Sequence, residues 1–184
     1  MSSKINIISI IKGHLSTLID ASTSKYSKID FGTFYIAPMF AAILGIYVGL
    51  DFSKDATNLL VTAGAIFTGL LLNLLILVYD QKSKLPNVDA SNENWKEVQV
   101  RHTTLKELYY NISYSTLLSL IMVFISILHL FIVDKSVNID IKFCTITDVS
   151  VVTTSPIMVF LGINLLLTIV MIIKRIYALL SSET

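Results

Sequence analysis

Apolar residues gather into four long runs, at positions 31–50, 57–79, 108–133 and 149–173. A helix of about 20 residues crosses a hydrocarbon core about 30 Å thick, and every run reaches that length. No Asp, Glu, Lys or Arg interrupts any of them. A helix of that length on a soluble domain would carry a broad polar face. The pattern therefore predicts an all-α integral membrane protein with four transmembrane helices.

Two further elements follow from the same periodicity. Ahead of the first run, Ile8, Ile11, Leu15 and Leu18 recur at helical spacing with Lys12 and Ser16 opposite. Such an amphipathic helix can lie in the membrane interface or pack on its own protein. Ala21 to Lys25 then reads as a polar hinge. After the second run, Pro86 and Asn87 stop the helix, and Ser91, ahead of Trp95 and Val98, marks a new start. From there to Val133 there is neither Pro nor Gly. The third span is thus expected to be the far end of one helix of roughly 40 residues, its first third projecting beyond the membrane. The expected organisation is an amphipathic segment at 1–30 and a four-helix transmembrane domain at 31–184, with a polar hairpin at 80–109.

Charge sets the orientation. Lys4, Lys12, Lys25, Lys28, Lys82, Lys84, Lys96, Arg101, Lys106, Lys174 and Arg175 fall on one side of the four runs, and only Lys54, Lys135 and Lys142 on the other. Cytoplasmic loops retain the Lys and Arg excess, so both termini and the central loop are expected inside. The loops at 51–56 and 134–148 then face outward. Composition agrees: 54% hydrophobic and 15% charged, with a mean hydropathy of +0.73, against about 25% charge in a soluble domain. Lys12, Gly13 and His14 interrupt the start of the chain, which does not read as a cleaved signal.

Within the spans, small and polar residues form stripes. The first has Ala37, Ala41, Gly45 and Gly49, each four apart; the second has Thr62, Ala65, Gly69, Asn73 and Asp80. The third carries Asn111, Ser115, Ser119, Met122, Ser126 and His129, and the fourth Asn164, Thr168 and Arg175. The small-residue seam fits packing against a neighbouring span or against another subunit. Polar side chains in hydrocarbon face a bundle interior or a wet cavity. The polar stripes therefore either hold the bundle together or line a pore assembled from several subunits. His129, near the outer end of its span, reads as an interfacial anchor, with a proton relay as the alternative. Pro156 fits a first helical turn or a kink.

Enzyme chemistry finds no support. His14, His102 and His129 lie in separate segments, and no metal-ligand, paired-carboxylate or phosphate-loop spacing occurs. Cys144, the single cysteine, cannot form an internal disulfide and reads as a small filler. No cofactor is expected. What remains is a basic belt of Lys82, Lys84, Lys96, Arg101, His102 and Lys106, beside Lys174 and Arg175. It serves topology and attraction to anionic lipid, or it binds a phosphate-rich ligand. Asp89, Glu93, Glu97 and Glu107 are interleaved and can neutralise it locally. Trp95 reads as a packing or interfacial residue, with base stacking as a minor alternative.

The stretches Ala65 to Asp80 (AIFTGLLLNLLILVYD) and Leu105 to Ser115 (LKELYYNISYS), with this layout, resemble small four-span membrane effectors of bacterial anti-phage defence. The Hailong-type membrane effector, paired with a nucleotidyltransferase, is the most similar. The resemblance implies a homo-oligomeric, tetrameric channel in the bacterial cytoplasmic membrane, controlled by a nucleotide or oligonucleotide on its cytoplasmic side. Lys82, Lys84, Lys96, Arg101 and Lys106 are the positions matching that role. A non-conducting anchor for a soluble partner is the alternative, and a holin-like lysis protein a third reading.

Overall fold

The computed structural model describes residues 6–18, 28–86, 95–133, 139–141, 144–146 and 149–181. They form an all-α bundle with one short β-hairpin. Helix α1 (Ile7–Ser16) starts at Asn6, whose side chain accepts the Ser9 N–H at 3.2 Å. Helix α2 (Lys28–Phe31) runs through a π-helical segment, Gly32–Ile36, into α3 (Ala37–Val48). Gly49 ends α3 in the left-handed conformation, φ 71°, which a residue with a Cβ rarely adopts. Ser53 opens α4 (Lys54–Ser83): its hydroxyl accepts the Ala56 N–H at 3.2 Å, a usual N-cap contact.

Helix α5 (Trp95–Ile132) is unbroken over 38 residues, about 57 Å at 1.5 Å per residue, as expected from the absence of Pro and Gly. The start signal at Ser91 lies outside the described residues, as do the hinge at Ala21 to Lys25 and Asp89 and Glu93. Strands β1 (Ile139–Ile141) and β2 (Cys144–Ile146) pair antiparallel, Ile139 opposite Ile146, where only a loop was expected. The alternation Ile-Asp-Ile facing Cys-Thr-Ile suits a pleated ribbon. Helices α6 (Val149–Val152) and α7 (Thr154–Ser181) follow. Pro156 sits in the first turn of α7, where its missing N–H costs nothing.

Four helices are long and apolar enough to cross a membrane: Ile29–Val48, Lys54–Ser83, Trp95–Ile132 and Thr154–Ser181. The protein is a multi-span α-helical membrane protein. Its chain forms two compact units. One gathers 1–27, 69–116 and 168–184; the other gathers 28–68 and 117–167.

Inside the second unit, α4 approaches α5 closely at Gly64, where an added Cβ would stand 2.6 Å from Val123 and 3.2 Å from Met122. One turn on, Thr68 and Ser119 share a hydroxyl hydrogen bond of 2.8 Å. The first span buries Phe34, Pro38 and Ala42, each four apart. Its small-residue seam is not that face. Ala37 and Gly49 are exposed, and Ala41 and Gly45 are half-buried. Gly49 serves as the helix stop, and a Cβ at Gly45 would meet only Leu50 of the same turn. Among the described residues, the buried face of the first span is therefore not centred on the seam.

Candidate functional site

The polar stripes separate into two kinds. On α5, Asn111, Ser115, Ser119, Met122, Ser126 and His129 are all buried, and on α7 so are Asn164 and Thr168. Each is embedded in protein, so this set holds the fold together. Asn164 shows how. Pro38 has no N–H to give the Phe34 carbonyl one helical turn back, and the Asn164 amide donates to that carbonyl at 2.6 Å. Sequence reading placed Asn164 on a stripe but missed Pro38, although a proline inside a span signals an orphaned carbonyl that some polar side chain must meet.

His129 is fully buried in the protein, near the end of α5. Its Nε2 lies 3.0 Å from the Phe52 carbonyl and must carry the proton there, so Nδ1 accepts from the Thr154 hydroxyl at 2.6 Å. Asp51, 3.9 Å from Nε2, accepts the Ser150 and Ser155 hydroxyls at 3.0 and 2.8 Å. The cluster pins the α3–α4 connection to the ends of α5 and α7. The sequence offered no spacing that would join these residues. Both ring nitrogens are engaged in holding structure, which gives no support to a relay.

On α4 the order is reversed. Thr57, Gly64, Leu71 and Val78 are buried, seven apart. Thr62, Ala65, Gly69, Asn73 and Asp80 are exposed. At 100° per residue, Asn73 stands about 160° away from Leu71, on the opposite side of the helix. Thr62 satisfies its hydroxyl on the Asn58 carbonyl at 2.9 Å, and a Cβ at Gly69 would meet nothing within 4 Å. The Asn73 amide finds no hydrogen-bond partner among the described residues.

The first unit holds a second polar cluster, around α1. His14 is fully buried, stacked on Tyr114 with ring centroids 3.9 Å apart and planes within 6°. Its Nδ1 donates to Asn111 Oδ1 at 2.9 Å, and the Thr17 hydroxyl reaches the same oxygen at 2.9 Å. Gly13 lies against the Tyr110 ring, where no Cβ fits. Arg175 donates to the Thr17 carbonyl at 3.1 Å and pairs with Glu107 at 3.1 Å. Burial, against the Asn111 hydrogen bond and aided by the nearby Arg175 charge, lowers the His14 pKa to about 4. So α1 packs a small and polar face, Gly13, His14 and Thr17, on its own protein, while Ile7, Ile8 and Ile11 are exposed. The buried face is thus turned from the one its hydrophobic periodicity marked: Leu18 is buried and Leu15 half-buried, but Ile8 and Ile11 are exposed, as are Lys12 and Ser16. Asn111 Nδ2 and Ser115 Oγ remain buried without a hydrogen bond among the described residues.

The basic belt is scattered rather than convergent. Lys84 pairs with Asp80 at 2.6 Å, and Lys82 stands 5.9 Å over the Tyr109 ring. Lys96 is exposed, 5.8 Å from the Trp95 ring, and His102 Nε2 lies 3.2 Å from the Pro86 carbonyl. Arg101 and Lys106 are both exposed but lie about 140° apart around α5. Within one chain they do not form one face. Arg101 instead borders a cavity of about 380 Å³, in the first unit, between α4, α5 and α7. Among the described residues, no group of three His, Cys, Asp or Glu is arranged to hold a metal ion.

Comparison with protein-family models, curated proteins and solved structures finds no match to this chain.

Proposed function

We propose that this chain self-associates in the bilayer through the exposed face of α4 and forms a gated ion-conducting pore. The observation that carries this is Asn73. A primary amide facing hydrocarbon without a partner is costly, and its own helix cannot satisfy it. A second copy presenting the same Thr62–Gly69–Asn73 face can, and Gly69 allows close approach. Copies arranged around an axis would turn this face toward water instead of lipid. The belt of Lys82, Lys84, Lys96, Arg101, His102 and Lys106 would then repeat around that axis, so that positions divergent in one chain converge between chains.

The asymmetry of Lys and Arg supports a cytoplasmic belt and cytoplasmic termini, with Ile7, Ile8 and Ile11 of α1 resting in the interface. The ligand fitting such a belt is a nucleotide or oligonucleotide. With the resemblance to anti-phage membrane effectors, the reading is a triggered channel that depolarises a bacterial cytoplasmic membrane. A membrane anchor for a soluble partner is the second reading, favoured by Val100, 65% exposed on the charged start of α5.

The test is subunit count in nanodiscs together with ion flux from liposomes holding the purified chain. Several copies per disc and a flux that an oligonucleotide modulates are expected. Replacing both Arg101 and Lys106 with Glu should abolish that modulation with insertion unchanged. A single copy per disc and tight liposomes would overturn the pore.

A further inference from the structure

The cavity of the first unit changes character along its length. Leu74 and Val78 on α4, Leu105 and Leu108 on α5 and Ile176 on α7 make its walls apolar. Its polar members are Gln81 and Arg101. Gln81 lies seven residues beyond Leu74, toward the end of α4, and Arg101 seven residues before Leu108, toward the start of α5. Seven residues are about 10 Å of helix. The end of α4 and the start of α5 lie together, since His102 meets the Pro86 carbonyl at 3.2 Å. So one end of the cavity offers a guanidinium and an amide, and the other, about two helical turns deeper along the spans, offers only hydrocarbon. Leu77 and Leu180, 60% and 63% exposed, leave it open to the surrounding bilayer.

We infer that this cavity is a specific site for one anionic phospholipid, with an acyl chain between α4, α5 and α7 and its phosphate at Arg101. The two halves of the site match the two halves of that molecule and the direction in which it stands in a membrane. A guanidinium presents a fork of N–H donors suited to phosphate oxygens, and the Gln81 amide supplies a further donor. A nucleotide fits poorly, because its ribose and base would bury polar groups against leucine walls that cannot pair them. A volume of 380 Å³ falls within the usual range of small-molecule sites, about 300–1,000 Å³. The site lies within one chain and does not depend on the pore reading.

The full chain, purified in detergent, is mixed with equal amounts of phosphatidylglycerol and phosphatidylcholine, and retained lipid is counted by native mass spectrometry. One phosphatidylglycerol per chain is expected, preferred about tenfold, because both lipids offer Arg101 a phosphate but the choline ammonium of phosphatidylcholine sets a like charge beside the guanidinium. Arg101→Gln should bring the preference close to one. Leu77→Trp, at the exposed rim where folding tolerates change, should remove both lipids by filling the cavity. Lys174→Gln, an equal loss of charge on α7 outside the cavity walls, should leave the preference intact. The inference fails if Lys174→Gln acts like Arg101→Gln, since a diffuse field then explains binding. It fails too if Leu77→Trp leaves retention unchanged, if the two lipids bind equally to the native chain, or if millimolar inorganic phosphate displaces the lipid.

Discussion

Helices α4 and α5 both carry polar residues at helical spacing through an apolar run, and they use them in opposite ways. The spanning window of α5 is 39% buried and that of α4 17%. On α5 the polar stripe coincides with the buried face, where Ser119 meets Thr68 and His129 meets Thr154. On α4 the buried face beyond Thr57 is apolar or small, at Gly64, Leu71 and Val78, and the polar stripe points away from it. Polarity in a span therefore says that something other than lipid must face it. Burial decides whether that something is the same chain.

The largest effect should come from cutting the α5 network. His129→Leu removes the donor to the Phe52 carbonyl and the 2.6 Å partner of the Thr154 hydroxyl, leaving the carbonyl unmatched and the hydroxyl only the Ser150 carbonyl at 3.5 Å. A cost of about 3 kcal/mol is expected, because each orphaned buried group costs about 1–3. Thr62→Leu on α4 removes a hydroxyl that, among the described residues, bonds only to its own helix, and should change unfolding in detergent by less than about 0.5 kcal/mol. Comparable losses for the two variants would erase the distinction between the stripes.

A sharper version concerns Asn164. Asn164→Leu should cost about 2 kcal/mol, since the Phe34 carbonyl loses its donor. In a Pro38→Ala background the backbone regains an N–H in that position, so the same substitution should cost about 1 kcal/mol less. A double-mutant cycle on thermal stability checks it. Strict additivity would mean that the Asn164 amide and the proline are unrelated.

These contacts also mark how far the sequence could be read. The four spans, the 38-residue α5 and the place of Pro156 followed from run length and from the positions of Pro and Gly, which act locally. The stripes on α5 and α7 were visible too, as periodicity. Which stripe faces inward was not visible, because that depends on how neighbouring helices pack. The seam at Ala37, Ala41, Gly45 and Gly49 shows the same limit: small-residue spacing permits close contact without selecting a partner. His14 was read only as part of the break that argues against a cleaved signal, yet it is the residue by which α1 docks. Tyr114 and Asn111, which receive it, lie 100 and 97 positions away, and no local pattern could join them.

The docking of α1 carries its own pH dependence. Undocked, His14 titrates near 6.5; docked, it is held near 4 by burial, with Arg175, itself paired to Glu107, adding to the lowering. Tyr114 and Tyr110 are the titratable groups facing it from α5. Between those values the undocked form binds the proton, so docking is at full strength above about pH 6.5 and weakens as pH falls. The weakening is about tenfold per pH unit, or 1.4 kcal/mol, down to pH 4. Hydrogen exchange of the α1 amides at pH 7.5 and 5.5 should show that loss, and His14→Gln should flatten it. If exchange depends on pH as steeply without the imidazole, another group is responsible.

The smallest expected effect on stability bears most directly on assembly. Asn73→Leu should shift monomer unfolding by less than about 0.5 kcal/mol, because the amide is exposed and bonds nothing among the described residues. Its consequence appears only where copies meet. Interhelical hydrogen bonds in membranes contribute about 0.6 kcal/mol on average and up to about 1.7. In a ring every contact loses its share, so association should weaken by more than one pairwise loss. Gly69→Leu, at a position with open space in one chain, should likewise spare the fold and block close approach between chains. Subunit number in nanodiscs separates the cases. If Asn73→Leu and Gly69→Leu assemble as the native chain does, the exposed face of α4 meets lipid after all, and a polar stripe in a span need not mark a partner.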